Sequence, residues 1–321
     1  MRKRIFMVAL CAAVAACTVA AQTQAWPAKP IKWIVGYPAG GGTDNLVRVL
    51  AEGMSRTLGQ PVVVDNKPGA NTMIAAETLA KSAPDGYTIM IADNGTLVNN
   101  AALYKKLSYD PVGDLAPVSM IGRFQFVLLL SPATGIKDFA DLKKQVAAAP
   151  NKFNYSSGGA GSPFHIGMEL VKQETGLSIS HVPYKGMAPA VQALLAGDVQ
   201  MMIADTATAL PYVKAGKLTA IGSATSKRVA QLPDVPTFAE LGISTFPGWQ
   251  GLVVPAQTPE DIKAKLGDAL KVAMATPQAV ALMQEKGIEP ATSTPAEMRA
   301  FQQAETVRWH KFIRDRGINL D

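Results

Sequence analysis

The stretch Gly36-Tyr37-Pro38-Ala39-Gly40-Gly41-Gly42-Thr43-Asp44 links a predicted strand to a predicted helix. The strand is the apolar run at 31–35, and the helix is marked by apolar side chains at 46, 49, 50 and 58 before a stop at Gly59. A strand, a glycine-rich turn and a helix in this order are typical of an α/β protein. We therefore expect an α/β fold.

A second turn repeats this pattern later in the chain, as Ser156-Ser157-Gly158-Gly159-Ala160-Gly161-Ser162-Pro163. It lies between a predicted strand at 153–157 and a predicted helix at 164–174. Ser162 is a good N-cap, and Pro163 suits the first helical position because its missing N–H is not needed there. Two parts of the chain are thus expected to present equivalent turns.

Both turns are candidate anion sites, because glycines let several backbone N–H groups approach one ligand and a helix N-terminus carries partial positive charge. The candidate ligand contacts are Tyr37, Gly40, Gly41, Thr43 and Asp44 in the first turn and Ser157, Gly158, Gly161 and Ser162 in the second. The first turn lacks the third glycine of a dinucleotide motif, and the chain has no G-x4-G-K-[ST] motif. Neither turn contains Lys or Arg, so a small carboxylate fits better than a polyphosphate. The alternative is that the glycines only form tight turns.

Four further polar residues are candidates because of their places along the chain. Asn94 and Thr96 follow a predicted strand at 87–92, and open α/β sheets bind ligands at the carboxyl ends of their strands. His165 lies one turn into the second helix, where it either donates to a ligand or bonds its own turn. Asp205 follows a predicted strand at 199–203 and either accepts a ligand ammonium or hydroxyl group or caps the next helix.

The first 25 residues have the layout of a secretory signal peptide. A basic segment at 2–4 precedes an apolar segment at 5–16, and cleavage after Ala25 starts the mature chain at Trp26. A retained membrane anchor is an alternative, although the apolar segment is shorter than the about 20 residues of a membrane span. A second alternative is a lipoprotein, since Val14-Ala15-Ala16-Cys17 loosely resembles a lipobox.

The leader also contains both cysteines of the chain, Cys11 and Cys17, so the mature protein is expected to have no disulfide, zinc–thiolate site or cysteine nucleophile. It carries three of the 31 basic residues and none of the 25 acidic ones, which leaves 28 basic residues and a mature net charge of +3 instead of +6. No cluster of Lys and Arg suggests a nucleic-acid partner. We expect no metal, no cofactor and no catalytic residue, and a monomeric protein.

The apolar periodicity alternates between short strands and longer helices, which predicts largely parallel sheets. Residues 250–321 read as one strand followed only by helices, so they are expected to pack on an existing lobe. We therefore expect lobe 1 to comprise 26–125 and about 250–321, and lobe 2 to comprise about 126–249.

From about Trp26 to the C-terminus, the chain closely resembles the substrate-binding receptors of tripartite tricarboxylate transporters, the Bug family. The motifs that carry the resemblance, besides Tyr37-Pro38-Ala39-Gly40-Gly41 and Asp44 of the first turn, include Val64-Asp65-Asn66-Lys67-Pro68-Gly69-Ala70, Asp85-Gly86-Tyr87-Thr88, His181-Val182-Pro183-Tyr184-Lys185-Gly186 and Leu232-Pro233-Asp234-Val235-Pro236-Thr237. The chain departs from the usual pattern at Asn71-Thr72, where a glycine-rich continuation is commoner, so the ligand of better-known members does not transfer.

The resemblance implies a periplasmic, two-lobed binding protein of the type II class with a ligand cleft between the lobes. It implies that backbone groups of both turns and bridging waters hold one carboxylate of a mono- or dicarboxylic acid, which is passed to a membrane permease. Two other functions stay open at this point. One is a sensory module for a two-component system, and the other is a serine hydrolase that pairs His165 with Ser157 or Ser162, although the chain lacks a G-x-S-x-G elbow.

Overall fold

The computed structural model describes residues 25–320. Residues 1–24 of the proposed leader, which include Cys11 and Cys17, lie outside this range. Within it, no helix combines the length and apolarity that crossing a bilayer requires.

Six strands form the first sheet, in the order β11-β4-β10-β3-β1-β2. They are β1 (Ile31–Val35), β2 (Val62–Asn66), β3 (Thr88–Asp93), β4 (Leu115–Phe124), β10 (Gly248–Pro255) and β11 (Ile288–Pro290). The helices on this sheet are α1 (Gly42–Leu58), α2 (Met73–Ala80), α3 (Asn100–Leu103), α8 (Glu260–Met274), α9 (Pro277–Glu285) and α10 (Pro295–Asp315).

Five strands form the second sheet, in the order β7-β6-β8-β5-β9. They are β5 (Phe126–Leu130), β6 (Phe153–Ser157), β7 (Ile179–Pro183), β8 (Met201–Asp205) and β9 (Thr219–Ser223). Its helices are α4 (Phe139–Ala148), α5 (Pro163–Thr175), α6 (Met187–Ala196) and α7 (Thr206–Lys214). Two separate sheets with helices form the two lobes of the fold.

The prediction of largely parallel sheets is wrong, because both sheets are mixed. β1 pairs in parallel with β2 and β3, and β6 pairs in parallel with β7 and β8. The strands next to the crossings between the sheets run the other way: β10 is antiparallel to β3 and β4, and β5 is antiparallel to β8 and β9. A strand that enters its sheet directly from the other lobe runs in the direction opposite to its neighbours. The apolar periodicity within a strand does not reveal its direction.

The C-terminal region also differs from the prediction that it contains only helices after β10. The three residues of β11 add an edge strand beside β4. Such a short strand, between two helices and ending in Pro290, has too few residues to show a period of two. The helix α10 itself begins as expected at Pro295, with a capping box between Thr294 and Glu297.

The core of the first sheet explains how α1 is placed. The buried residues Leu46, Leu50 and Met54 of α1 share a cluster with strand residues such as Trp33. Gly53 allows α1 to approach α8, because a Cβ at position 53 would lie 2.7 Å from the Cβ of Ala273. This close packing fixes the direction of α1 and therefore the position of its N-terminus at the end of β1.

The chain passes from the first sheet to the second at Gln125 and returns through residues 224–247. The division of the chain into lobes at these positions stays a proposal. The first crossing lies at the carboxyl end of β8, because Thr206, directly after β8, donates its N–H to the Gln125 carbonyl at 2.9 Å. The second crossing ends beside the carboxyl end of β3, where Gln250 pairs with Asp93.

Candidate functional site

The first glycine-rich turn delivers an open helix N-terminus. Gly41 is the N-cap residue of α1 and supplies no side-chain cap, so the first N–H groups of the helix, at Gly42 to Asp44, are not used by a capping side chain. Gly40 adopts a left-handed φ of 82°, which turns the chain from β1 into α1. Thr43 accepts a hydrogen bond from Gln250 Nε2 at 2.8 Å, which ties the first turn of α1 to β10.

Asp44 holds this turn in shape. Its carboxylate accepts from the Gly40 N–H at 2.8 Å, from Arg48 Nε at 2.8 Å and from Asn66 Nδ2 at 2.9 Å. Burial alone would raise the pKa of Asp44, but the hydrogen bonds from Arg48, Gly40 and Asn66 lower it. Since these donors occupy both oxygens, Asp44 and Gly40 support the turn, and we no longer assign the Asp44 side chain as a ligand contact.

Tyr37 reaches across the ends of the strands to Asp93, the last residue of β3. The Tyr37 hydroxyl donates to one carboxylate oxygen of Asp93, and the other oxygen accepts from the N–H and the hydroxyl of Thr96 at 2.8 Å each. Thr96 also lies 2.7 Å from the Thr72 hydroxyl. Tyr37 and Thr96, two of the candidate ligand contacts, are thus linked through Asp93.

Asn94 follows Asp93 and precedes a π-helical turn at Gly95–Asn99. The whole segment is buried, with Asn94 only 7% exposed. π-helical turns are uncommon and often occur at functional sites. The structure therefore places Asn94 at the carboxyl end of β3, where it was predicted.

The second turn is organised by its own side chains. Ser157 lies 2.7 Å from His181 Nε2 and donates to the Gly159 carbonyl at 2.9 Å. Ser162 caps α5 as predicted, since its hydroxyl accepts from the His165 N–H. Because Gly158 has no side chain, the second turn packs closely against the start of α6. A Cβ at position 158 would lie 2.9 Å from Met187 Sδ.

His165 follows the second of its two alternatives, because its ring bonds its own turn. Nδ1 accepts from the Gly161 N–H at 3.0 Å, so the ring is neutral with its proton on Nε2. Burial lowers the pKa of His165 to about 4, and burial together with the nearby His165 lowers that of His181 to about 3. His165 therefore supports the turn, and its Nδ1 is already bonded to the Gly161 N–H. This favours the structural role of the ring over contact with a ligand.

Asp205 is the N-cap of α7, so the capping alternative is present in the structure. It accepts from the Thr208 N–H at 2.8 Å and from the Thr208 hydroxyl at 2.9 Å. Burial raises the pKa of Asp205 in spite of these bonds. Asp205 lies two residues before Ala207, which faces Gly42 of the other lobe. Asp205 therefore lies at the cleft.

Each glycine-rich turn contacts the opposite lobe across the cleft between the sheets. A Cβ at Gly42 would lie 4.0 Å from the Cβ of Ala207, in the first turn of α7. Asn71 Nδ2 donates to the Gly161 carbonyl at 3.3 Å. Gly161 has a φ of 78°, and a Cβ there would meet Leu320 at 2.5 Å and Leu103 at 2.9 Å. Each turn is thus held close to the opposite lobe.

Three cleft residues escaped the sequence analysis. Asp93 ends β3 directly before Asn94, so the rule that pointed to Asn94 applied to it equally. Gln250 is a polar residue inside an otherwise apolar strand, which was the available signal. Asn71 was noted only as a departure from the family pattern; it has a left-handed φ of 51° and exchanges hydrogen bonds with Asn100.

The geometry does not support hydrolase chemistry at Ser162. Its hydroxyl accepts from the backbone of His165, while the ring nitrogen Nδ1 of His165 accepts from Gly161. An activated serine needs the reverse arrangement, in which the ring takes the hydroxyl proton. Among residues 25–320, no three His, Cys, Asp or Glu side chains are grouped so that they can hold a metal ion.

Comparison with known proteins agrees with this picture. Residues 46–318 match the model of the tripartite tricarboxylate transporter family receptor. Protein BugT of Bordetella pertussis is 33% identical over 323 residues, which cover 100% of this chain and 99% of BugT.

Two solved structures are also similar, and the match covers 100% of the chain in each of them. A Rhodopseudomonas palustris protein with adipate is 32% identical with a TM-score of 0.86 over 92% of this chain. MatC of the same organism, with bound malate, is 31% identical with a TM-score of 0.81 over 90% of this chain.

The family of these relatives consists of solute-binding receptors and not of enzymes. The two-sheet architecture, the two glycine-rich turns and the family match over residues 46–318 all indicate the same family. The chain belongs to the receptor family of the tripartite tricarboxylate transporters.

Proposed function

We propose that this protein is a periplasmic receptor that binds one small carboxylic acid in the cleft between its lobes and delivers it to a permease of the tripartite tricarboxylate type. The observation that carries the proposal is that each glycine-rich turn lies against the opposite lobe, with Gly42 of the first turn facing Ala207 and Gly161 of the second turn bonded to Asn71. The relatives with adipate and malate support a carboxylate as the ligand.

The backbone supplies the donors for this carboxylate. The uncapped N-terminus of α1 offers several N–H groups, and each helix N-terminus adds about 0.3–1 kcal/mol of attraction for an anion in exposed settings. Because neither turn carries a Lys or Arg, binding does not depend on a salt bridge to the protein. Neutral donors hold the acid firmly enough for capture and still allow its release to the permease.

The proposed location and partner rest on other observations. The leader at 1–25 reads as a signal peptide, and a similar solved structure is that of a periplasmic transporter. A receptor in the periplasm needs a membrane partner to move its ligand inward, and the family is defined by such transporters. We propose that the mature protein works as a soluble monomer in this role.

A thermal-shift panel of mono- and dicarboxylic acids on the chain from Trp26 onward tests the proposal. A true ligand at 100 times its dissociation constant raises the free energy of unfolding by about 2.7 kcal/mol, which shifts Tm by several degrees. If no acid in a broad panel raises Tm, the proposed function is wrong.

The variant Gly42→Val locates the site in the same assay. It adds a side chain beside Ala207 without a left-handed φ at position 42, so binding should be lost while the ligand-free Tm changes little. Arg56→Val is the matched control, because it places the same side chain at the exposed far end of the same helix. Equal ligand shifts in both variants would place the site elsewhere.

A further inference from the structure

Four consecutive residues between β2 and α2 have a positive φ. The values are 125° at Gly69, 46° at Ala70, 51° at Asn71 and 70° at Thr72. Among residues 25–320, the non-glycine residues with a positive φ are the last three of these and Asn151. A left-handed backbone is unfavourable for a residue with a Cβ atom, and it persists only where the surrounding structure fixes it. Contacts with the rest of the protein must therefore hold the segment 69–72 in this shape.

The first lobe holds this segment from its buried side. Asn71 Nδ2 donates to Asn100 Oδ1 at 2.8 Å, and Asn100 Nδ2 donates back to the Asn71 carbonyl at 2.9 Å. Asn100 is fully buried, and its Nδ2 also donates to the Tyr109 hydroxyl at 3.3 Å. Thr72 is only 4% exposed, and its Oγ1 lies 2.7 Å from Thr96 Oγ1. These bonds offset the backbone strain and fix the position of the Asn71 side chain.

The same side-chain amide reaches the second lobe. Asn71 Nδ2 also donates to the Gly161 carbonyl, at 3.3 Å. An amide nitrogen carries two N–H donors, so one serves Asn100 and the other serves Gly161. Gly161 belongs to the second glycine-rich turn, and its own N–H is bonded to His165 Nδ1. One side chain thus connects the interior of the first lobe to a turn that we propose to hold the ligand.

We propose, on the basis of the proposed function, that Asn71 is a latch between the lobes. Its bond to Gly161 forms when the cleft closes around a ligand and breaks when the cleft opens. The strained segment 69–72 holds the donor in place before closure, so little conformational freedom is lost when the bond forms. Asn71 is therefore a positioning residue that acts through Gly161. Loss of this single bond between neutral groups should shift the equilibrium between closed and open forms about fivefold toward the open form.

Small-angle X-ray scattering of the chain from Trp26 onward, without ligand, measures the opening of the cleft. The variant Asn71→Gly removes both N–H donors, while glycine keeps the left-handed backbone at this position. Asn71→Asp keeps the shape of the side chain but has no N–H group to donate. We expect both variants to have a larger radius of gyration than the wild type, at a temperature where all three are folded, because the population shifts toward the open form.

Asn151→Gly is the matched control, and it should keep the wild-type radius of gyration. Asn151 also has a left-handed φ, of 64°, but it is exposed on the second lobe, where its Oδ1 accepts from the Ser178 hydroxyl at 2.8 Å. Calorimetric titrations with succinate, malate, glutarate and adipate add a second measurement. The acid that the wild type binds most tightly should bind about fivefold more weakly to both Asn71 variants, because their closed form is less populated, and equally well to Asn151→Gly.

The outcomes separate this inference from the proposed function. If an acid binds and neither Asn71 variant changes the radius of gyration, only the latch is wrong, and weaker binding at an unchanged radius would make Asn71 a contact of the ligand instead. If Asn151→Gly expands the molecule as much as Asn71→Gly, the effect does not come from the contact between the lobes and the inference is overturned. If no acid binds, the proposed function is wrong, and so is the closure around a ligand on which the latch depends.

Discussion

His165 and His181 stack beneath the second glycine-rich turn, with ring centroids 4.0 Å apart. Tyr155 extends the stack, 4.8 Å from His181, and donates its hydroxyl to Glu169 at 2.7 Å. Each histidine also holds one part of the turn, since His165 accepts from Gly161 and His181 lies 2.7 Å from Ser157 Oγ. Both rings are neutral in the native protein because burial lowers the pKa of His165 to about 4 and that of His181 to about 3.

These two residues make stability depend on pH in a defined window. Both folded pKa values lie below the ordinary value of 6.5, so below that pH the unfolded chain binds more protons and the native state loses stability. We expect the free energy of unfolding to fall by about 2–3 kcal/mol between pH 7 and pH 4.5, after discounting for the screening of partly exposed groups. Thermal unfolding at pH 7, 5.5 and 4.5 measures this.

The variant His181→Gln should flatten that dependence, and His310→Gln, outside the stack, is its control. The Nε2 of His310 lies 2.9 Å from the Val98 carbonyl and contacts neither of the stacked rings. The same slope of Tm against pH in wild type and His181→Gln would show that the stacked pair does not control acid stability.

For single residues, the sequence predicted where a side chain lies in the fold better than which partner it bonds. Ser162 was correctly expected as a cap, and capping was one of the two alternatives left open for Asp205, because capping depends on the residue and its immediate neighbours. His165 had two open roles, and only the partner across the turn, the Gly161 N–H, decides between them. Asp93 and Gln250 come together through strand pairing at a separation of more than 150 residues, which no local pattern contains.

At the scale of the element, the turn before α5 matters through Gly161. Its φ of 78° favours glycine, and a Cβ there would meet Leu320 and Leu103 from the other side of the cleft. Leu320 is held in place because its N–H donates to the Leu103 carbonyl at 3.0 Å. This turn therefore contacts the first lobe only because position 161 has no side chain.

The variant Gly161→Ala should weaken ligand binding about tenfold, because the added methyl group separates the two turns that we propose to share the carboxylate. Gly176→Ala is a closely matched control. Gly176 ends the same helix with a φ of 71°, and no atom lies within 4 Å of the position of its Cβ. Both variants should lose about 1 kcal/mol of stability from the left-handed backbone. Equal effects on affinity, measured by calorimetry, would remove Gly161 from the site.

Most strands and helices were predictable because their apolar periodicity is strong. The strands at 31–35 and 153–157 have the predicted bounds. The strand β7 was missed, because Ser180 and His181 interrupt its apolar pattern and Pro183 ends it. The π-helical turn at Gly95–Asn99 was also missed, since its shape depends on burial of the whole segment rather than on a local signal.

At the scale of the whole molecule, contacts between the lobes surround the proposed ligand site. Arg316, after α10, donates to Glu169 of α5 at 3.1 Å, and Glu169 also accepts from Lys172 at 2.5 Å. Thr206, at the start of α7, donates to the Lys286 carbonyl at 2.9 Å. Polar contacts of this kind exchange readily with water, so they are suited to a cleft that opens and closes by a hinge motion.

The two-lobed architecture was predictable from the repeated order of strand, glycine-rich turn and helix. The way in which the lobes meet was not, because it depends on residues as distant as Asn71 and Gly161, or Arg316 and Glu169. The identity of the ligand depends on the same distant contacts. This is why the sequence indicated a carboxylate but gave no basis for choosing one acid.

A crystal structure of the mature protein with its best ligand from the titrations tests the central claim most directly. We predict one carboxylate group between the first N–H groups of α1, at Gly42 and Thr43, and the turn at 157–161, with both lobes in contact with the ligand. A carboxylate bound to one lobe alone, or bound away from both glycine-rich turns, would contradict it.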